Sequence, residues 1–340
     1  MFKKEDRHRS IEPLADAGDT IERGIRMWGV VQRLFIVVVL CSLSACSSAN
    51  PRVDRSDRPS IPLFTFVFDD GDDTDYLIAK DIFSAQGAVA CSAITTDWID
   101  KPGYLSPQQI IGLHDAGWEI LAHTATHPNL RSLTSSQIED ELARSKTVLE
   151  GLGLKVRNLV YPYNKSNDLV KTIARKYYRS ARGGRNEYNR NIDDPYDIHS
   201  FANKRDLAKM KGIVDRAYAE KDWLIIYHHD IDAKITMTEK TGDFVNGEEL
   251  LFSPSGAHGR QVRNSWFLFS GSMHFVPLIG TPRSGDRVSG RTSNATARIS
   301  TVVYNERELI ADILRYIRTT YGDMRVVTID EGLDILGAAK

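Results

Sequence analysis

The sequence predicts an α/β protein built of parallel strand and helix units that approach a closed barrel. Three observations support this prediction: apolar runs alternate with helix-like segments from residue 61 onward, capping signals mark the helices, and the alternation gives about seven repeats. Seven repeats are too many for a small open sheet. The 340-residue chain is 41% hydrophobic, which is sufficient for a full core.

The first part of this pattern contains four strands and four helices in alternation. The predicted strands are the runs LFTFVF, AVACSAI, WEILAH and NLVYPY, and the predicted helices span 76–86, 106–116, 136–152 and 167–177. Ser106 is a cap followed by proline at the first helical position, and Ser136 with Glu139 predicts a capping box.

The later part predicts a helix over 206–220, the strand WLIIYHHD, a helix capped by Asn305 with Glu308, and the strand RVVTI. Between 233 and 303 the helix period is lost, and short alternating runs lie among Gly, Ser, Thr and Arg. This stretch predicts a β-rich insertion or an elaborated loop. Its aromatic residues are expected to pack inside it, with stacking on sugar rings as the alternative. They are Trp266, Phe267, Phe269 and Phe275.

Residues 1–46 are expected to lie outside the fold, as an N-terminal extension and a signal peptide. Two arginines precede the apolar run 34–40, which suits a signal-peptide core and is too short to span a bilayer comfortably. The run ends in Leu-Ser-Ala-Cys at Cys46, which resembles the bacterial lipoprotein signal. That resemblance implies an exported protein, anchored to a bacterial membrane by a lipid on Cys46. A plain secretory signal cut near the same place is the alternative.

Residues 47–60, rich in Ser, Asn, Arg, Asp and Pro, predict a flexible tether before a domain over 61–340. The chain has 44 Lys and Arg against 45 Asp and Glu, so no excess positive charge favours a nucleic-acid partner. Cleavage before Cys46 would remove Cys41, and with Cys46 acylated Cys91 has no partner, which excludes a disulfide scaffold.

Two carboxylates close the first predicted strand. Asp69 and Asp70 end the run FTFVF, and Gly71 permits a sharp turn behind them. Side chains at the carboxyl end of a strand project into the mouth of a β/α barrel, where active sites of that architecture lie. Adjacent carboxylates there need a positive charge to offset them, so this pair predicts a functional site.

Two histidines follow the third predicted strand. His123 and His127 are separated by three residues and can close on one metal ion from a helix or a loop, and Pro128 favours the loop. Imidazole is a preferred zinc ligand. Together with the aspartates, they supply one carboxylate and two imidazoles to a metal, plus a second carboxylate as a base.

Two further strand ends carry polar groups. Pro162 fixes the backbone before Tyr163, whose amide can point into the mouth and stabilise an oxyanion. In WLIIYHHD, alternation places His229 and His228 on opposite faces, so only one of them faces the mouth. Histidine titrates near neutral pH and is a candidate general acid there.

The order Asp-Asp-Gly, His-x-x-x-His, Tyr-Pro-Tyr and a late His-Asp resembles the polysaccharide deacetylase family, the NodB-homology domain of carbohydrate esterase family 4. The likeness covers about 61–232 and 305–336. It implies a distorted (β/α)7 barrel holding a divalent metal, most simply Zn²⁺, with Co²⁺, Ni²⁺ or Mn²⁺ as alternatives. It also implies a deacetylase that hydrolyses the N-acetyl groups of amino sugars in a cell-envelope or extracellular polysaccharide.

Roles follow from the resemblance residue by residue. Asp69 matches the catalytic base, and His229 matches the catalytic acid, with His228 as the fallback. The residue whose amide helps form the oxyanion site is matched by Tyr163. The metal ligands are matched by Asp70, His123 and His127.

Two departures from the family pattern concern the surroundings of the base. The third motif usually has arginine two residues before its proline, where this chain has Val160, and the fourth motif is replaced by SARGGRNEYN. Arg182 in that replacement either orients the base or binds substrate, or it is an exposed surface arginine. The alternatives to a deacetylase are the same barrel acting on another amide or ester, and a non-catalytic carbohydrate-binding lipoprotein.

Overall fold

A computed structural model describes residues 61–262 and 271–338, and the structural statements below refer to these residues. Eight parallel strands form one sheet in the order β5-β4-β3-β2-β1-β7-β6, with β14 pairing β1 off this path. The strands are β1 Leu63–Phe68, β2 Cys91–Ile94, β3 Glu119–Ala122, β4 Asn158–Val160, β5 Ser180–Arg182, β6 Phe201–Ala202, β7 Trp223–His228 and β14 Arg325–Val326.

The sheet is a half-barrel whose hydrogen-bonded path ends at β5 and β6. A single parallel bridge joins Arg182 of β5 to Ile198, just before β6. The paired strands all run parallel, so their carboxyl ends meet at one rim. The full (β/α)7 count stays a prediction.

Apolar side chains cover both faces of the sheet. On the outer face, Phe66 and Phe68 of β1 pack with Phe83 and Trp118 under the helices. On the inner face, Val67 belongs to a second core cluster, together with residues of β2, β3, β4 and β7. Burial on both faces explains why these strands are nearly continuous apolar runs.

Seven α-helices connect the strands. They are α1 Lys80–Ala85, α2 Pro107–Asp115, α3 Ser135–Glu150, α4 Asp168–Ala174, α5 Leu207–Glu220, α6 Glu306–Thr320 and α7 Ile329–Ile335, and a π-helical turn, Asp75–Ala79, precedes α1. The cap at Ser106 is confirmed, and Gln109 completes a capping box there.

Two of the predicted capping boxes are wrong, and the last predicted strand is shorter than predicted. The box of α3 uses Thr134 and Gln137, because Glu139 instead bonds to Lys176 and a neighbouring tyrosine. Asn305 precedes α6 but its side chain makes no capping bond. The run RVVTI is a strand only at its start, since Thr328 already caps α7.

A second β structure lies between β7 and α6. Its six antiparallel strands close into a barrel in the order β10-β11-β8-β13-β12-β9. They are β8 Ala233–Thr241, β9 Glu249–Ser253, β10 His258–Gln261, β11 Ser272–Ile279, β12 Arg287–Gly290 and β13 Thr296–Asn305. Its core includes Phe275, which is fully buried, so the expectation that this residue packs inside the β structure is confirmed. That this stretch is an insertion into the domain stays a prediction.

Several predictions lie outside the described residues. The extension and signal peptide of 1–46, the lipidation site Cys46 and the tether 47–60 are among them, as are the aromatic residues of 263–270. Within the described ranges, the helices are too short or too polar to cross a bilayer. Cys91 is buried in β2 and is a free thiol.

Candidate active site

The carboxyl end of β1 places Asp69 and Asp70 at the rim of the half-barrel. The backbone N–H of Asp69 donates to the carbonyl of His228 at 2.8 Å, which ties the ends of β1 and β7 together. Asp70 has a φ of 77° and Gly71 a φ of 83°, so the chain turns sharply behind the strand. A Cβ on Gly71 would lie 3.2 Å from Ile94, and the turn therefore favours glycine.

The two histidines lie on a loop after β3, as Pro128 predicted. The N–H of His127 donates to Thr124 Oγ1 at 3.0 Å. The buried carboxylate of Glu141 on α3 accepts two N–H groups of the same loop, at 2.9 and 2.8 Å. Sequence analysis missed Glu141; its only signal is a charged residue among the apolar positions of an amphipathic helix. These bonds hold the loop so that both rings point towards β1.

The carboxylate and the two imidazoles meet at one point. Asp70 Oδ1 lies 3.3 Å from Nε2 of His123 and 3.3 Å from Nε2 of His127, and the three potential ligand atoms all lie within 4.8 Å of one another. Asp70 Oδ1 is buried and has no hydrogen-bond partner. A buried carboxylate oxygen facing two nitrogens without a bond is a costly arrangement in the absence of a cation.

The tautomer of His123 strengthens this interpretation. Its Nδ1 lies 2.8 Å from the carbonyl oxygen of Val160, and because a carbonyl only accepts, Nδ1 must carry the proton. The lone pair of Nε2 then faces Asp70. A histidine that donates through one nitrogen to a carbonyl and presents the other is the usual form of a metal ligand.

The pKa of His127 is shifted in the direction that favours the neutral form, which metal binding requires. Burial, followed by the neighbouring His123 ring, lowers the pKa of His127. Its ring packs 5.2 Å from Trp98 and 4.7 Å from Tyr163, measured between ring centroids. The donor set of one carboxylate and two neutral imidazoles therefore suits a divalent ion such as Zn²⁺.

Arg182 is a buried partner of Asp69. Its side chain is 1% exposed and donates to Asp69 Oδ1, so the alternative of an exposed surface arginine is wrong. The same guanidinium donates to Asn164 Oδ1 at 2.6 Å and lies 5.2 Å from the ring centroid of Tyr227. It reaches Asp69 from β5, whereas the family pattern places an arginine before the motif proline, where this chain has Val160. The structure thus provides a positive charge for Asp69 from a different strand.

The two neighbouring histidines at the end of β7 lie in opposite environments. His228 is buried, its ring stacks near Phe66 and Phe68, and burial lowers its pKa to about 3. His229 is exposed and borders the same cavity as Asp70. Of the two, His229 is therefore the one placed to exchange a proton with a ligand.

Tyr163 lies on the turn after β4, with a φ of 56° and an exposed fraction of 57%. Its ring contacts His127, which places the turn beside the carboxylate and two imidazoles described above. We call these three potential metal ligands the metal-ligand cluster. A cavity of about 660 Å³ opens next to this cluster and is walled on its far side by Arg260 and Gln261 of the six-stranded barrel. Arg260 forms a bidentate pair with Asp73 at 2.8 and 2.7 Å, which the sequence did not indicate.

The fold and the site define a mixed α/β protein with a parallel half-barrel sheet and a candidate metal centre at the carboxyl ends of its strands. Residues 57–180 match the family model described as polysaccharide deacetylase. Over those residues, which are less than half of the chain, the protein is similar to the polysaccharide deacetylase family, as the sequence motifs indicated. No curated protein matches the chain.

Solved structures similar to this chain carry related descriptions. A polysaccharide deacetylase from Bacillus cereus is 26% identical, with a TM-score of 0.35 over 40% of this chain and 45% of that one. A deacetylase from Streptococcus pyogenes, solved with acetate, is 22% identical, with a TM-score of 0.39 over 40% and 62%. A pseudoenzyme of carbohydrate esterase family 4 from Bacillus anthracis is 18% identical, with a TM-score of 0.38 over 51% and 56%. The chain thus spans less than two thirds of each.

Proposed function

We propose that this protein is a metal-dependent hydrolase that removes acetyl groups from N-acetylated amino sugars of a polysaccharide. The observation that carries the proposal is the convergence of Asp70 Oδ1, which has no hydrogen-bond partner, with two histidine nitrogens, one of them fixed as a lone-pair donor by Val160. The family match supports the class of reaction. In this proposal Asp69, paired with Arg182, is the base and His229 is the acid.

Asp70, His123 and His127 would hold the ion, and its identity in the proposal is Zn²⁺, with Co²⁺, Ni²⁺ and Mn²⁺ as alternatives. A bound divalent ion supplies a Lewis acid that polarises the acetamide carbonyl and lowers the pKa of water. A site with three protein ligands leaves coordination positions open, as in catalytic rather than structural zinc sites.

The chain's own residues divide the remaining work. Asp69, oriented by Arg182, accepts a proton from the attacking water, and the backbone amide of Tyr163 donates to the developing oxyanion. His229 donates a proton to the leaving amine, so the products are acetate and a free amino sugar. Arg182 is fully buried behind Asp69, so in this proposal it orients the base and does not contact the sugar.

An acetate-release screen over defined glycans tests this proposal. Metal-stripped and metal-restored protein is incubated with chitooligosaccharides, peptidoglycan fragments and acetylated xylan. We expect release from the N-acetylated glycans only after metal is restored, and none from an Asp69→Asn protein with its metal still bound. Release from xylan alone would replace the amidase with an esterase. Glycan binding without turnover in metal-loaded protein would favour the carbohydrate-binding alternative.

We also propose that the parallel sheet is the family's distorted (β/α)7 barrel and that the six-stranded barrel is an insertion into it. The protein acts outside the cytoplasm, anchored by a lipid on Cys46 at the end of its signal segment. Labelling of cells with a fatty-acid analogue should mark the wild type but not a Cys46→Ala protein. Labelling of both would contradict the anchor.

A further inference from the structure

The cavity beside the metal-ligand cluster has an unusual charge distribution. Of the described residues that line it, four are aspartates and Arg260 is the only lysine or arginine. Arg260 is committed to the carboxylate of Asp73 through two hydrogen bonds. Asp70 faces the two histidines. Asp72 and Asp230 remain as carboxylates that form no ion pair within the described part of the chain.

A second observation in the same cavity is independent of these charges. Gln261, at the end of β10, lines the cavity, is 1% exposed, and neither its amide oxygen nor its amide nitrogen has a hydrogen-bond partner. A buried amide that satisfies none of its bonding capacity costs free energy unless a ligand or water completes it. The six-stranded barrel therefore brings an unused donor and an unused acceptor to the cavity wall.

We propose that this cavity is a subsite for a sugar that carries a free, protonated amino group next to the sugar being deacetylated. Asp72 and Asp230 receive the ammonium, and Gln261 bonds to hydroxyl groups of the same ring. The proposal rests on the deacetylase function proposed above, and it specifies the substrate: a partly deacetylated amino-sugar polymer rather than one with acidic sugars.

The surroundings of Asp230 support this assignment. Burial, followed by the neighbouring carboxylate of Asp232, raises the pKa of Asp230. A cation in the cavity would relieve that repulsion. An anionic sugar would meet the same carboxylates and be repelled.

Binding to an inactive protein tests the subsite without turnover. Full-length, zinc-loaded Asp69→Asn protein is titrated with glucosamine disaccharide and with the matching disaccharide that has hydroxyl in place of the amine. We expect about 10-fold tighter binding of the amine, weakening as salt is raised. The further change Asp72→Asn should reduce that preference, whereas Gln261→Leu should weaken the binding of both disaccharides by a similar factor. The control Asp243→Asn, whose side chain is 90% exposed, should leave it unchanged.

Turnover supplies the second measurement. Three trisaccharides, each with one reacting N-acetyl group beside an acetamide, an amine or a hydroxyl, are compared by kcat/KM. We expect the amine-flanked substrate to be preferred about 10-fold by the wild type and by the Asp243→Asn control, but not by Asp72→Asn. Equal binding of amine and hydroxyl, or a second zinc ion per chain that displaces the amine, would overturn the subsite. Absence of acetate release from every glycan would overturn the proposed function instead, while the binding measurement would still decide the subsite.

Discussion

Buried polar side chains gather at both ends of the parallel sheet, but the two ends differ in how completely those groups are bonded. At the amino ends of the strands, Glu119 accepts from Asn158 at 2.6 Å and from the N–H of Asp330 at 2.8 Å. Ser180 donates to Asn158 Oδ1 and Arg179 donates to Asp330 Oδ1, each at 2.7 Å, and these two bonds complete the cluster. At the carboxyl ends, Asp70 Oδ1 has no hydrogen-bond partner.

The difference separates groups that stabilise the fold from groups that are available to a ligand. A polar network with its partners in place contributes stability and specifies one packing arrangement. A buried group without a partner costs stability and is retained where it serves chemistry. We therefore expect substitutions of the Asp70, His123 and His127 cluster at the carboxyl end to change activity more than stability, and substitutions in the bonded network at the amino end to do the reverse.

The largest effect is expected for His127→Ala. It removes one of three ligands, so zinc affinity should fall by about 100-fold or more and acetate release by about 1000-fold, while the free energy of unfolding of the metal-free protein changes little. Metal content measured by mass spectrometry and acetate release check this. The control is His258→Ala on β10, whose side chain is 38% exposed. Wild-type turnover by a His127→Ala protein without metal would contradict the expected difference between the two ends of the sheet.

Arg182→Met should lower kcat by about 10- to 100-fold with KM and metal content nearly unchanged, because Asp69 loses the group that orients it. It should also cost about 3 kcal/mol of stability, since a buried carboxylate loses its partner. Steady-state kinetics and urea unfolding separate the two effects. Arg185→Met, which removes an exposed arginine paired with Asp197, is the matched control. A change in KM alone would indicate that Arg182 contacts the sugar.

Glu119 predicts a pH dependence of stability at the amino end. Burial raises the pKa of Glu119 from 4.5 to about 7, so the folded protein holds this proton more tightly than the unfolded chain. Its contribution is therefore full below about pH 4.5 and declines by about 3 kcal/mol as the pH rises to about 7. Urea unfolding of the wild type and Glu119→Gln at about pH 5 and pH 8 checks this. Parallel pH profiles for the two proteins would contradict it.

The smallest effect is expected for Ser180→Ala, which removes one buried hydrogen bond to Asn158. It should cost about 1 kcal/mol and leave kcat/KM unchanged. Ser84→Ala, on an exposed position of α1, is the matched control and should lose no stability. A fall in turnover for Ser180→Ala at full stability would show that the two ends are coupled.

The sequence predicted those parts of the fold that depend on neighbouring residues. The strand at β1, the loop at Pro128 and the cap at Ser106 follow from local pattern and are present in the structure. At the start of α3 the local pattern led to Ser136, whereas the structure uses Thr134 as the cap. The choice depends on Glu139 bonding to Lys176, far along the chain.

The candidate site was predictable where a strand end places a residue and unpredictable where a distant partner decides its environment. The faces of His228 and His229 follow from strand alternation. The pairing of Asp69 with Arg182 spans 113 residues and joins β1 to β5, which no local rule connects. The contact between Arg260 and Asp73 spans 187 residues and depends on how the six-stranded barrel packs against the sheet.

The hydrogen bond between His123 and the carbonyl of Val160 determines which amino acids position 160 can accept. The imidazole is oriented by a backbone carbonyl, which every amino acid carries, so the side chain at position 160 contributes only by filling the core. Exchange of Val160 for another apolar residue of similar volume should preserve the orientation of the ring. A change of side chain at this position would therefore leave the contact to His123 in place, whereas a change at Arg182 removes the buried partner of Asp69.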